Sequence, residues 1–173
     1  MNTTQLKPCD ILLYKGTSRT SRLIRWKTKS PYSHVAVLVA PAIYLGIESN
    51  TGHQSGVRAF DLRKLDQAAI DSFRVKPVFQ FEPEKVISFL VAHLGMPYDY
   101  RGVLWLGVLK LLNLKSKSNR FQKDQDYFCS ELVYEAFNNA GLDIVPKVDE
   151  ADITSPGDIA KSSVLEKIEL PKA

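Results

Sequence analysis

The feature that most constrains the fold is a pair of apolar runs with only Pro41 and its neighbours between them. Residues 33–40 are rich in β-branched side chains, and residues 43–49 form a second such run, so each predicts a β-strand. Two strands joined by so short a connection pair as an antiparallel hairpin, because parallel strands need a long crossover. The sequence therefore predicts an antiparallel sheet.

The register of this hairpin decides which side chains meet. If the turn is centred on Pro41, His34 lies directly opposite Glu48, and opposed side chains share a face with Cβ atoms about 4.5–5.5 Å apart. The hairpin then places an imidazole beside a carboxylate. A slip of one residue would send Glu48 to the other face of the sheet, so this prediction depends on the turn.

A second strong pattern begins at Cys129 and predicts a helix that ends at Gly141. Its apolar residues recur at three- and four-residue spacing and are Leu132, Val133, Ala136, Phe137 and Ala140. Cys129 thus lies in or just before the first turn, where free N–H groups and the positive end of the helix dipole stabilise a thiolate. The simpler alternative is a buried thiol that only packs.

Shorter elements surround the hairpin and this helix. Further predicted strands are residues 10–16, 57–62 and 72–79. Apolar spacing predicts a helix over residues 83–94, and turn residues predict breaks at 95–102 and 154–159. Residues 103–114 form another apolar element, predicted to be helical, which belongs to the core, lines an acyl-binding groove or contacts a membrane.

A basic segment follows the first predicted strand and is predicted to form a short helix. Its cationic residues are Arg19, Arg22, Arg25, Lys27 and Lys29. The simpler interpretation is a solvated basic face with Leu23 and Trp26 packed inward. The alternative is contact with an anionic lipid, a cell-wall glycan or a peptide.

Composition limits the classes of protein to consider. At 173 residues, with 45% hydrophobic and 24% charged residues, the chain is long enough for a core, and we expect a single domain over residues 1–173. A net charge of +4 without a basic motif of known type does not favour nucleic-acid binding. The oligomeric state is left open.

Targeting and redox patterns are equally plain. The N-terminus has no basic segment followed by an apolar run, so we expect no signal peptide and a cytoplasmic protein. Residues 103–114 are too short for a membrane span and are interrupted by Lys110. We expect the two cysteines to be free thiols.

A thiol at a helix start, a histidine and an acid supply the nucleophile, base and orienting group of a cysteine hydrolase. Of the three histidines, His53 lies in a Gly-rich loop and His93 on a helix, and neither has an acidic partner in a strand register. We therefore predict Cys129 as nucleophile, His34 as base and Glu48 as the third member. No spacing typical of metal ligands and no phosphate or dinucleotide motif occurs, so we expect neither metal nor cofactor.

Six blocks of the sequence carry a resemblance to a known family. They are DILLY (10–14), SHVA (33–36), Glu48, GMPYDY (95–100), FCSELV (128–133) and TSPGDI (154–159). In this order they resemble the circularly permuted NlpC-type cysteine hydrolases, the YiiX/YebB-like group. In these permuted proteins the histidine strand precedes the cysteine helix, as it does here.

The resemblance implies a papain-like α+β fold, in which a small antiparallel barrel or sheet packs against the helix carrying the nucleophile. It also implies Cys129, His34 and Glu48 as the catalytic residues. Tyr98 matches the tyrosine of the family's Gly-x-Pro-Tyr block, whose hydroxyl is expected to help bind the oxyanion or substrate. Two features depart from the group, the missing export signal and residues 103–120, which have no clear counterpart.

The function implied is a cysteine amidase or peptidase that cleaves a small amide or peptide, of the peptidoglycan stem or γ-glutamyl type, through a thioester. An alternative is a lipid acyltransferase or phospholipase resembling the lecithin retinol acyltransferase group, favoured by residues 103–114 and the basic segment. The sequence Cys129-Ser130-Glu131-Leu132 counts against it, because that group has Asn-Cys-Glu-His and a second histidine. A third reading is a binding module that retains the fold.

Overall fold

Six antiparallel strands form one sheet in the order β4-β3-β2-β1-β5-β6. The computed structural model describes residues 6–50, 55–97, 129–146 and 154–169. The strands are β1 (Ile11–Tyr14), β2 (His34–Ala40), β3 (Leu45–Asn50), β4 (Gly56–Asp61), β5 (Ile70–Val75) and β6 (Leu165–Ile168). The helices are α1 (Arg19–Thr28), α2 (Pro83–Ala92), α3 (Cys129–Asn139) and α4 (Pro156–Ala160). The predicted α+β class is confirmed.

The sheet is covered on both faces, because alternate residues of its central strands enter two separate clusters. Ile11 and Val35 belong to the larger cluster, which contains the buried faces of α2 and α3. Their neighbours Leu12 and Ala36 belong to the smaller cluster on the other face. This double burial explains why β1 and β2 appear in the sequence as continuous apolar runs.

Helix α3 packs on β2, β3 and α2, as its apolar spacing predicts. Leu132, Val133, Ala136 and Phe137 are all fully buried. Gly141 follows in the left-handed region with φ 84°, a conformation that ends a helix at little cost for glycine. Cys129 is the first residue of this helix, so the packing of the helix in the core determines the position of the thiol.

The hairpin of β2 and β3 forms as predicted, but its register is different. Val37 pairs with Ile47 and Leu38 with Gly46, which shifts the pairing by two residues from the register centred on Pro41. The reason is the connection, a 3₁₀ turn over Pro41–Ile43 followed by Tyr44 in the left-handed region at φ 60°. The ladder shifts again between Leu38 and Ala40, where Ala40 pairs with Leu45. Before that irregularity, a shift of two residues keeps the side chains on their predicted faces, since side chains alternate with a period of two.

Two other predictions are wrong. Leu23 and Trp26 of α1 do not pack inward, since they are 56% and 69% exposed. Residues 154–159 were expected to be a turn, but Ser155 caps a short helix, α4, in a reciprocal capping box with Asp158. Apolar periodicity could not predict this helix, because α4 spans little more than one turn.

Within the described ranges, no helix is long and apolar enough to span a bilayer.

Gly46 supplies a test of the packing across the sheet. A Cβ added there would lie 2.2 Å from Cζ of Phe60, so only glycine leaves room for that ring. We expect Gly46→Ala to lower the free energy of unfolding by about 1–3 kcal/mol, measured by urea denaturation. In a Phe60→Leu background the cost of Gly46→Ala should be much smaller, as a double-mutant cycle would measure. An equal cost in both backgrounds would contradict this packing.

Candidate active site

His34 and Glu48 meet across the β2–β3 hairpin, where His34 Nε2 donates to Glu48 Oε2 at 2.7 Å. The observed register brings them together diagonally, because Glu48 lies one step beyond the Val37–Ile47 pair, across from Ala36. Diagonal neighbours on one face lie within reach of long side chains. The predicted contact is therefore present, although the predicted register is wrong.

The second carboxylate oxygen of Glu48 is held by two other residues. Arg58 donates to Oε1 from Nε at 3.0 Å and from Nη2 at 2.7 Å, and Asn50 donates from Nδ2 at 2.9 Å. Burial alone raises the pKa of the Glu48 carboxyl, but hydrogen bonds and charge from His34, with hydrogen bonds from Asn50 and Arg58, lower it to about 2. Glu48 therefore remains a carboxylate at neutral pH, although it is only 3% exposed.

Arg58 and Asn50 are site residues that sequence reasoning missed. The β3–β4 ladder pairs Glu48 directly with Arg58, and Asn50 lies two residues further along the same face of β3. Cross-strand pairing of opposite charges is the signal that could have found Arg58. The Gly-rich loop that contains His53 joins these strands, and its sequence does not predict their register.

Cys129 lies at the start of α3, close enough to His34 to interact with its imidazole. Because Nε2 of His34 contacts Glu48, the other ring nitrogen, Nδ1, is the one left for the thiol. Burial alone lowers the pKa of the His34 imidazole, but the charge and hydrogen bond of Cys129, together with those of Glu48, raise it to about 10. The three predicted residues thus form a line from Cys129 through His34 to Glu48.

The orientation of the imidazole is set by an aromatic neighbour on β1. Tyr14 pairs with His34 in the β1–β2 ladder, and the ring centroids lie 5.1 Å apart at an angle of 58°. Burial raises the pKa of the Tyr14 hydroxyl well above its ordinary value. The ring is therefore a neutral apolar wall that restricts rotation of the imidazole.

Residues 154–159 support the helix that carries the thiol. Ser130, next to Cys129, donates its hydroxyl to the backbone carbonyl of Thr154 at 2.6 Å in a buried contact. Gly157 packs so closely on Ser30 that an added Cβ would lie 2.7 Å from the Ser30 Cβ. This block therefore links the start of α3 to the segment between α1 and β2.

Of the remaining candidate residues, the structure describes His93 and Cys9 and does not describe the others. His93 bonds through Nδ1 to the Phe89 carbonyl of its own helix at 2.7 Å. Cys9 is a buried free thiol whose pKa is raised to about 12, chiefly by burial and then by the charges of Asp10 and Glu84. Tyr98, His53 and the segment 103–120 lie outside the described residues.

Comparison with known proteins relates the fold to a solved structure. No family model matches the sequence, and no curated protein matches it. The chain matches the crystal structure of metalloprotein YiiX from Escherichia coli O157:H7, a DUF1105 protein, with a TM-score of 0.67 and 20% identity. The match covers 95% of this chain and 97% of that chain. The chain therefore has a YiiX-like papain-like fold, and the resemblance inferred from the six sequence blocks is confirmed at this level.

The YiiX structure is that of a metalloprotein, and a metal centre needs several donor side chains that face one point. In the part of the chain that the structure describes, no three or more His, Cys, Asp or Glu side chains are placed to hold a metal ion. Nor do Cys129, His34 and Glu48 converge on one point, because His34 bonds directly to Glu48. The described residues therefore do not fit a metal centre.

The partners of Glu48 predict a pH-dependent stability. The folded-state pKa is lowered from the ordinary 4.5 to about 2, so this contribution is present above pH 4.5 and is lost as the pH falls towards 2. The contribution of His34, whose pKa is raised from 6.5 to about 10, is fully present below pH 6.5 and is lost as the pH rises through about 10. We expect Glu48→Gln to cost about 2–4 kcal/mol at about pH 6, measured by urea unfolding.

The difference between wild type and Glu48→Gln should shrink as the pH falls below 4.5, where Glu48 begins to accept a proton on unfolding. Glu169→Gln, at an exposed position after β6, is the matched control and should leave the stability curve unchanged. Parallel pH curves for wild type and Glu48→Gln would contradict the ion-pair assignment.

Proposed function

We propose that the protein is a cysteine hydrolase in which Cys129 is the nucleophile, His34 the proton carrier and Glu48 the residue that orients and charges His34. The observation that carries this proposal is the 2.7 Å bond between His34 and Glu48, with Cys129 near enough to raise the pKa of the His34 imidazole. A thiolate beside an imidazolium is the reactive form of a cysteine nucleophile.

The reaction follows from the three roles. The Cys129 thiolate attacks the carbonyl carbon of the substrate, and the carbonyl electron pair moves to oxygen. The His34 imidazolium then gives its proton to the leaving nitrogen, which departs as the amine and leaves a thioester on Cys129. Neutral His34 next takes a proton from water, whose oxygen attacks the thioester, and the acid and the free thiolate are regenerated with His34 protonated.

The oxyanion needs hydrogen-bond donors that face the attacked carbonyl. The backbone N–H of Cys129 is proposed as one donor, because the first N–H groups of a helix have no partner within it. Tyr98 is proposed as a second donor on the basis of the family resemblance.

An amide or peptide is the proposed substrate class, of the peptidoglycan stem or γ-glutamyl type. Its support is the YiiX-like fold together with the Cys129-Ser130-Glu131-Leu132 block. One observation favours the alternative, a lipid acyltransferase or phospholipase. Leu23 and Trp26 are exposed on a basic helix, as expected of a protein that works at a lipid surface.

Turnover of γ-glutamyl amides, stem peptides and diacylphospholipids by the purified protein tests the proposal. Cys129→Ala should lower amide turnover more than about a thousandfold, because the nucleophile is removed. Intact mass spectrometry of the wild type during turnover should show an acyl adduct on Cys129 that hydroxylamine removes. Cys9→Ala is the matched control for loss of a thiol and should retain wild-type activity.

The outcomes separate the three readings. Retained amide turnover by Cys129→Ala refutes the nucleophile. Turnover of phospholipids but not amides, with the same acyl adduct, replaces the amidase with the lipid enzyme. If no substrate is turned over and Cys129 alkylates with iodoacetamide no faster than Cys9, the protein is a binding module.

A further inference from the structure

Helix α1 (Arg19–Thr28) has an exposed surface. None of its residues is buried, and Leu23 and Trp26 are 56% and 69% exposed. They are three residues apart, so they lie side by side on one face of the helix. A pair of large apolar side chains left in water gains little for folding, and it would be stabilised by transfer to an apolar medium.

The charged side chains of α1 itself have a single sign. The sequence contains no Asp or Glu between Asp10 and Glu48, whereas α1 and the residue after it carry five basic side chains. Arg19, Arg22 and Lys29 are exposed, and Lys27 Nζ lies 4.7 Å from the ring centroid of Trp26. The face therefore combines a Trp and a Leu with surrounding cations.

Local hydrogen bonds anchor the start of the helix, and a buried serine follows its end. Ser18 caps its first turn by accepting from the Ser21 N–H, and Arg25 donates to the Gly16 carbonyl at 3.2 Å. At the other end, Ser30 is buried against Gly157 of α4. Only residues 29–33 separate α1 from His34, so whatever α1 binds is brought close along the chain to the candidate active site.

We propose that α1 docks on an anionic lipid bilayer, with Leu23 and Trp26 inserted at the level of the head groups and the basic residues against the lipid phosphates. Tryptophan at the boundary and Lys or Arg around it are the pattern of helices that lie in the interface. A soluble anionic polymer would satisfy the cations but would leave the apolar pair in water. This proposal needs no activity of Cys129 and goes beyond the hydrolase.

Co-sedimentation with vesicles tests it, using phosphatidylcholine alone and phosphatidylcholine mixed with phosphatidylglycerol. The protein should bind the mixed vesicles and not the neutral ones, and added salt should weaken the binding because exposed charges are screened. Arg19→Glu should lower the binding constant about tenfold or more, since it reverses a charge at the surface. Lys64→Glu, which reverses an exposed charge outside α1, is the matched control and should bind nearly as the wild type.

The apolar pair is tested separately. Trp26→Ala should lower binding to the mixed vesicles about tenfold, and Trp26→Phe should restore part of it. Val78→Ala removes a side chain that is 77% exposed elsewhere and should have no effect. Circular dichroism and thermal unfolding of each variant show that the fold is kept, as the exposure of these positions predicts.

Three results would overturn the proposal. Equal binding to neutral and anionic vesicles would show that charge is not involved. Unchanged vesicle binding by Trp26→Ala would show that no side chain of α1 is inserted. Binding to heparin without binding to the mixed vesicles would identify a soluble anionic polymer, and not a bilayer, as the partner.

Discussion

The candidate site depends on one buried carboxylate, that of Glu48. A buried charge is tolerated only where hydrogen bonds and opposite charges replace water. Here Oε2 accepts a hydrogen bond from His34, and Oε1 accepts hydrogen bonds from Arg58 and Asn50, so both carboxylate oxygens have partners. Because these partners come from three adjacent strands, the site forms only when β2, β3 and β4 pair in their observed register.

The packing of helix α3 places the thiol beside this carboxylate–imidazole pair. Helix α3 buries its apolar face against β2 and β3, and this places Cys129 at the helix start beside His34, the first residue of β2. The Ser130 contact with Thr154 secures the same turn. A core helix and a hairpin, each stabilised by apolar burial, thus bring together three residues that lie far apart in the sequence.

Local pattern predicted the hairpin, the helix and the His34–Glu48 contact, because alternation fixes the face of each side chain even when the register is shifted by two. It did not predict Arg58, whose position depends on how β4 pairs with β3. It also misplaced Trp26, since amphipathic spacing shows that a helix has an apolar face but not whether that face meets the core. Helix α4 was missed because a helix so short has almost no periodicity.

The most direct test of the account is a measurement of the charge of His34 by ¹⁵N NMR of histidine-labelled protein. The His34 signals are assigned from a His34→Gln variant. Since its pKa is raised from 6.5 to about 10, the ring should still carry both protons at about pH 8 in the wild type. In Cys129→Ala the charge that favours the imidazolium is absent, and the titration should move to clearly lower pH. A His34 that titrates near 6.5 in both proteins would contradict the proposed thiolate–imidazolium–carboxylate line.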